Sequence, residues 1–592
     1  MYREEYPNPQ FERETYECLN GEWEFEIGTG EGKTNAALAA KIEVPFCPES
    51  QLSGIGKTEL FTDCIYARDI EVHSEDLAGR LFLHFGAVDH LAKVYVNGRK
   101  AGCHAGGYTA FSVEITPFVK VGKNRIAVCV HDDVRENLPS GKQVKEALPH
   151  GCFYTRVTGI WQTVWLERTP EEYIKSVKFY PDIENCRVKA ELITEGEGHT
   201  EISVLYQGRR VGHAEGDGYY RQNFDIELSE KHLWELGQGR LYDVIVRFGR
   251  DQVKSYFGLR EVRYEGRKFL LNGRSVFQRL VLDQGYYPDG HYTAPSVETM
   301  RKDIQLGLSL GFNGARLHQK VFEQRFLYEC DRAGYMVWGE YASWGVEYEN
   351  LDALGQFINE WRETVDQHFN HPSVITWCPL NETWENLEDK GRVRDMHFPE
   401  TVYAVTKLLD PTRPCVDVSG GYHGRFTDLF DFHCYHTPEE ISGYIKAIES
   451  RDELIMDTLY AKSEPDALYD GTLPLNASEY GGVAYVAEGG WGYRTKNSEE
   501  EFVKDYVEMT RQFLDCGKIS GFCYTQLYDV QQEQNGLFTY DRRPKLSEQA
   551  MQMIASCNRS AAEVEKSALC GEKDSFCTPI TRLKKIHPVF AG

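Results

Sequence analysis

The sequence predicts a multidomain chain in which two β-sandwiches precede a (β/α)8 barrel, and three observations predict it. At 592 residues the chain exceeds what one hydrophobic core supports. Its first part alternates apolar and polar residues in short runs separated by turn signals, the period of strands buried on one face. Beyond about residue 264, short continuous apolar runs alternate with helix-patterned stretches, as in parallel strands covered by helices.

Taken in order, residues 1–170 carry alternating runs at 80–85, 92–96 and 124–130, with Asn97-Gly98 and Gly106-Gly107 as turns between them. This is a sandwich pattern. Residues 171–263 repeat it on a smaller scale, at 188–193 and 242–248, over a length suited to a seven-strand immunoglobulin-like module. Residues 264–592 hold eight candidate strands, at 275–282, 312–317, 335–340, 374–380, 414–418, 429–435, 473–478 and 519–527. Helix-patterned stretches at 296–310, 354–369, 400–409 and 498–516 lie between them, which gives the strand count of a TIM barrel.

Composition narrows the partners. A formal net charge of −25 opposes nucleic acid and anionic membranes. No apolar run approaches the roughly 20 residues that span a bilayer, and the polar, acidic start reads as that of a cytoplasmic protein. Sixteen cysteines without a C-x-x-C pair resemble reduced core residues rather than a disulfide framework or zinc cage. A small neutral ligand is the easier partner, and a homo-oligomer is compatible with all of this. The aromatic content of 13% serves either sandwich cores or platforms for sugar rings.

The chemistry is carried by two glutamates. Glu382 in Leu380-Asn381-Glu382-Thr383-Trp384 and Glu479 in Asn476-Ala477-Ser478-Glu479-Tyr480-Gly481 each close an apolar run, at the ends of the fourth and seventh candidate strands. Barrel chemistry sits at the carboxyl ends of strands, so both side chains are expected at one mouth. A pair of carboxyl groups, one protonated and one ionised, is what cleavage of a glycosidic bond requires. On the second strand Arg316 and His318 alternate and so point the same way, the arginine toward holding a carboxylate ionised and the histidine toward a sugar hydroxyl or a place in the core. His433 and Tyr435 alternate on the sixth strand and are candidates to touch substrate or nucleophile. A metal held by His433 and His436 lacks an evident third ligand. Gly307-Leu308-Ser309-Leu310-Gly311 matches the serine-hydrolase elbow, but here a helix precedes the serine and a strand follows it, the reverse of what the elbow needs.

Four separated segments resemble glycoside hydrolase family 2, the family of β-galactosidases, β-glucuronidases and β-mannosidases: residues 156–167, Asn381-Glu382, Glu479-Tyr480-Gly481 and residues 535–545. The resemblance implies a jelly-roll sugar-binding-type domain, an immunoglobulin-like β-sandwich and a catalytic barrel. It makes Glu382 the general acid/base and Glu479 the nucleophile of a retaining hydrolysis without a cofactor, with Asn381 on the sugar 2-hydroxyl. Tyr524 stands where many members place a tryptophan platform. Glucuronidases of the family carry an Asn-x-Lys pair where this chain has Glu533-Gln534-Asn535, which argues for a neutral sugar such as galactose. The alternatives are a glucuronidase or galacturonidase using Arg542 or Arg543 for the carboxylate, a β-mannosidase, and a non-catalytic sugar-binding protein. Whether residues 135–156 of the first domain reach the barrel mouth is open at this level.

Overall fold

The computed structural model describes residues 3–133, 137–383, 395–452, 454, 461–463, 469, 471–485 and 489–566. Of the segments named above, Arg135, Glu136 and Trp384 lie outside the described residues, as do the final 26, 567–592.

The first unit is a jelly-roll sandwich. A six-stranded sheet, in the order Ala40–Val44, Gly21–Ile27, Asp63–Val72, Gly122–His131, Leu91–Val96 and Arg99–Ala105, faces a four-stranded sheet of Glu17–Cys18, Val164–Thr169, Arg80–Phe85 and Phe111–Glu114. The alternation read in the sequence is the burial pattern: Leu81, Leu83 and Phe85 turn into the shared core while Arg80, Phe82 and His84 turn away.

The immunoglobulin-like unit departs from the expected seven strands. Five antiparallel strands form it, and two of them, Arg187–Tyr206 and Arg209–Glu227, run for 20 and 19 residues. The first pairs with Tyr173–Asp182 along one half and with Tyr242–Phe248 along the other, with a register break between Ile193 and Glu197. One bent strand thereby does the work of two.

In the barrel, seven strands share one parallel sheet: β1 Gln278–Asp283, β2 Gly314–Leu317, β3 Met336–Glu340, β4 Val374–Cys378, β5 Phe430–Cys434, β6 Leu475–Gly481 and β7 Ile519–Thr525. The expected strand at 414–418 is not a regular strand. It keeps its place through isolated parallel bridges from Trp377 to Cys415 and from Asn381 to Ser419. Helices α1 Val297–Ser309, α2 Gln324–Ala333, α3 Leu351–His368, α4 His397–Leu409, α5 Pro438–Arg451, α6 Glu499–Asp515 and α7 Glu548–Asn558 accompany the sheet. Ser296 and Ser498 cap α1 and α6 by accepting backbone N–H groups, the start signals legible in the sequence. Ser309 is the last residue of α1 and donates its hydroxyl to Leu306 O, so the elbow motif is a helix end.

A small sheet of Val262–Glu265, Lys268–Leu271 and Arg274–Ser275 packs Val262, Phe269 and Leu271 against Leu280, Leu282 and Trp338, closing the amino-terminal end of the barrel. The opposite end is left to the site. No helix among the described residues is long and apolar enough to cross a membrane, and every described cysteine is a free thiol.

Candidate active site

At the carboxyl ends of the strands the organising residue is Arg316 on β2. Its buried guanidinium donates from Nε to Glu340 Oε2 at 2.6 Å, from Nη1 to Glu479 Oε1 at 2.8 Å, and from Nη2 to Asn381 Oδ1. One cation thus ties the ends of β2, β3, β4 and β6 together. His318 shares its face, with Nδ1 2.9 Å from Glu340 Oε1. Burial, reinforced by the nearby Lys142 cation, holds His318 well below the ordinary imidazole range and therefore neutral.

Glu479 reaches the mouth because β6 is bulged. Phe432 pairs with Ala477 and His433 with Glu479, so Ser478 is an extra residue in the strand. Strict alternation would send Glu479 outward with Ala477, into the layer between barrel and helices. The bulge re-aims it inward, the use to which bulges beside active sites are put. There Oε1 accepts from Arg316 and Oε2 from the Tyr435 hydroxyl. The Tyr435 ring stacks on Tyr493 with centroids 3.6 Å apart.

Glu382 follows β4 with a left-handed backbone, φ 40°, unusual for a residue with a side chain. Its N–H donates to Ser419 O at 3.0 Å, the bridge that stands in for the missing regular strand. Its Oε1 lies 2.5 Å from His433 Nδ1, and His433 Nε2 lies 3.5 Å from Glu479 Oε1. Burial disfavours the charged imidazole, yet Glu479 and Glu382 together raise His433 above the usual histidine range. One carboxylate oxygen from each glutamate and a ring nitrogen of His433 all lie within 4.8 Å of one another. That spacing belongs with the carboxyl separation of about 5 to 5.5 Å seen in retaining glycosidases, not the 6.5 to 9.5 Å of inverting ones. Two carboxylates and an imidazole so close could also ligate a cation, though each is already engaged by Arg316, Tyr435 or a neighbour in the trio.

Asn381 anchors the site by accepting the Trp344 indole N–H on its carbonyl at 3.1 Å, while its Nδ2 is buried without a partner among the described residues. A donor so placed is available to a sugar hydroxyl. Arg316, His318, Asn381, Glu382, His433, Tyr435 and Glu479 are therefore brought together. Tyr524 is not. It lies in the layer between barrel and helices, against Tyr480 at 5.3 Å and Tyr506 at 4.8 Å, and its neighbour Thr525 turns inward to within 3.3 Å of the Tyr435 hydroxyl. Alternation from buried Phe522 carried the signal that Tyr524 faces outward. His436 also turns away from His433, toward Glu440 and Tyr444.

The arginines expected to serve a carboxylate are engaged elsewhere. Arg542 pairs with Asp303 at 3.0 Å and lies over the Tyr528 ring, and the Arg543 side chain is 75% exposed beside Asp541. Residues absent from the sequence reading complete the mouth: Glu340, Trp344, Ser419 and, from the first sandwich, Lys142. Glu340 ends its strand just as the two glutamates do, a signal that could have found it. Lys142 sits in an aperiodic loop whose reach no local pattern encodes.

A family model described as glycosyl hydrolases family 2, sugar binding domain, matches residues 53–170, and another described as glycosyl hydrolases family 2, TIM barrel domain, matches residues 262–557. The β-glucuronidase of Felis catus is 23% identical over 612 residues, spanning 91% of this chain and 90% of its own. A β-galactosidase of Thermoanaerobacterium thermosulfurigenes is 27% identical over 364 residues, spanning 56% of this chain and 47% of its own. The solved β-glucuronidase of Lactobacillus rhamnosus superimposes with a TM-score of 0.76 at 21% identity, over 95% of this chain and 99% of that one.

Proposed function

Because the chain belongs to glycoside hydrolase family 2 and is a retaining glycosidase, we propose that it removes terminal β-linked uronic acids, with Glu479 as nucleophile and Glu382 as general acid/base. The observation that carries the mechanism is the convergence of the two glutamates and His433 within 4.8 Å beside Arg316. Glu479 attacks the anomeric carbon while Glu382 gives its proton to the departing oxygen, leaving a glycosyl ester. Glu382 then takes a proton from water, which attacks the same carbon and returns the Glu479 carboxylate. Donation from Arg316 and Tyr435 to both Glu479 oxygens stabilises that carboxylate as it leaves. The unpartnered Asn381 Nδ2 is poised for the 2-hydroxyl.

The substrate class leans on relatives. The β-glucuronidases of Felis catus and Lactobacillus rhamnosus span 91% and 95% of the chain, whereas the β-galactosidase match covers 56%. The expectation of a neutral sugar accordingly becomes the second reading, favoured by one feature, the acidic Glu533-Gln534-Asn535 where a lysine-bearing pair would meet a carboxylate. Rates on 4-nitrophenyl β-D-glucuronide, β-D-galacturonide, β-D-galactoside and β-D-mannoside separate the readings. The highest kcat/KM is expected on a uronide, with the β-anomer of the free sugar released first. A preference for the galactoside would return the assignment to the neutral class.

A further inference from the structure

We propose that Lys142, delivered by the first sandwich and not by the barrel, is the cation that receives the carboxylate of the uronic acid, an inference that rests on the uronide reading. The loop bearing Lys142 crosses from the sandwich into the barrel mouth. Its side chain is buried, at 6% exposure, with Nζ 5.4 Å from the centre of the Trp344 ring and 5.9 Å from that of Tyr154. Trp344 is the residue that holds the Asn381 carbonyl, and the Tyr154 hydroxyl donates to Glu533. The ammonium therefore lies between the catalytic end of β4 and the 533–535 loop, where the nearby barrel lysine, Lys545, is already taken up by Asp529 and the Gln534 carbonyl.

What distinguishes Lys142 is that no acceptor meets it among the described residues. Other buried cations of the barrel are satisfied: Arg316 by Glu340 and Glu479, Arg413 by Asp410, Arg542 by Asp303, and Lys320 by the carbonyls of Gly285 and Tyr292 at 2.6 and 2.7 Å. Among the described residues the Lys142 ammonium makes no hydrogen bond or ion pair, although it carries three donors. Glu533 acts on the ammonium through its charge but makes no hydrogen bond to it, its oxygens accepting from Tyr154 and from Asn535 Nδ2. A buried charge without a partner is costly unless something supplies one. An anionic substituent on the substrate does so, and a hydroxyl would compensate only weakly. Burial disfavours the ammonium, but Glu533, Glu479 and Glu382 keep it charged, above the usual lysine range.

The backbone that presents Lys142 is pinned in advance. Ser140 N–H donates to Trp344 O at 2.9 Å, Tyr154 N–H to Lys142 O at 2.8 Å, and Gln143 Nε2 to Asp89 Oδ2 at 2.8 Å. Such preorganisation is characteristic of a binding group and unnecessary for a solvated lysine.

The test compares wild type, Lys142→Met and Lys142→Arg on the 4-nitrophenyl uronide that is cleaved and on its counterpart with a C6 hydroxymethyl group. In Lys142→Met the ratio of kcat/KM, uronide over neutral, is expected to fall about 100-fold, chiefly through KM, with partial recovery in Lys142→Arg. A second measurement needs no variant: inhibition of the wild type by D-glucuronate should exceed that by D-glucuronamide about tenfold or more. Equal ratios in wild type and Lys142→Met, or equal inhibition by acid and amide, would overturn the lysine assignment while uronide cleavage stands. Turnover of neutral glycosides alone would overturn the uronide reading and the lysine assignment with it.

Discussion

At the scale of single residues, the two glutamates are chemically alike and differ only in their neighbours. Glu479 accepts from Arg316 and Tyr435, donors that stabilise a carboxylate, whereas Glu382 faces His433 and stands on a left-handed backbone held by Ser419. The division of labour predicts a pair of different rescues. With Glu479→Ala, added azide should attack from the face the nucleophile occupied and yield the α-glycosyl azide. With Glu382→Ala, azide should intercept the glycosyl ester and yield the β-azide, and turnover of a poorly activated substrate should drop about 10²- to 10⁴-fold, less with nitrophenolate, which leaves without a proton. Product anomers read by NMR decide it, and exchanged outcomes would exchange the two roles. Both glutamates were legible from the sequence because each ends an apolar run with an acid. Tyr524 was misread because a residue was matched by position in a motif without asking to which side of the strand it points, and Lys142 gave no signal at all.

At the scale of elements, the barrel closes where its strand is weakest. The segment 415–419 has only isolated bridges, and what anchors it is a buried acid–histidine–acid group: His423 Nδ1 lies 2.8 Å from Asp417 and Nε2 3.0 Å from Asp431, while Asp431 accepts from the Ser419 hydroxyl at 2.8 Å. Burial opposes the charge on His423, but Asp417 and Asp431 raise it from 6.5 to about 10. Burial likewise opposes ionisation of Asp431, which His423 nonetheless brings from 3.8 to about 2. A raised histidine contributes stability that is full below about pH 6.5 and lost as pH climbs through about 10; a depressed aspartate contributes stability that is full above about pH 3.8 and lost as pH falls through about 2. Thermal unfolding followed by circular dichroism should therefore show a decline in Tm between pH 7 and 10 that is flattened in His423→Gln, and an unchanged alkaline limb in that variant would refute the coupling. Strand periodicity located this region to within a few residues. Periodicity could not show that 414–418 fails to form a ladder, nor that β6 is bulged at Ser478, because both are settled by register against neighbours remote in sequence.

At the scale of the whole molecule, the first sandwich is part of the site. Its loop docks on the barrel through Gly141, whose φ of +58° and whose absent Cβ, which would sit 2.3 Å from Gln319 O, allow the backbones to meet. Gly141→Ala should displace the loop, reduce kcat/KM on a uronide about 10²-fold, and leave the far-ultraviolet dichroism of the chain unchanged. Unaltered kinetics would mean that the barrel suffices alone. By itself the sequence determined the order of the layers, the parallel character of the barrel, the two acidic side chains and the arginine that meets one of them, because these follow from local periodicity and from residue types placed at strand ends. Only the tertiary structure decided which way Glu479 points, how the fifth strand position of the barrel is held, and that a lysine from another domain enters the mouth. Those outcomes depend on register, on a bulge and on the docking of one body against another, and such long-range geometry leaves no period in the chain.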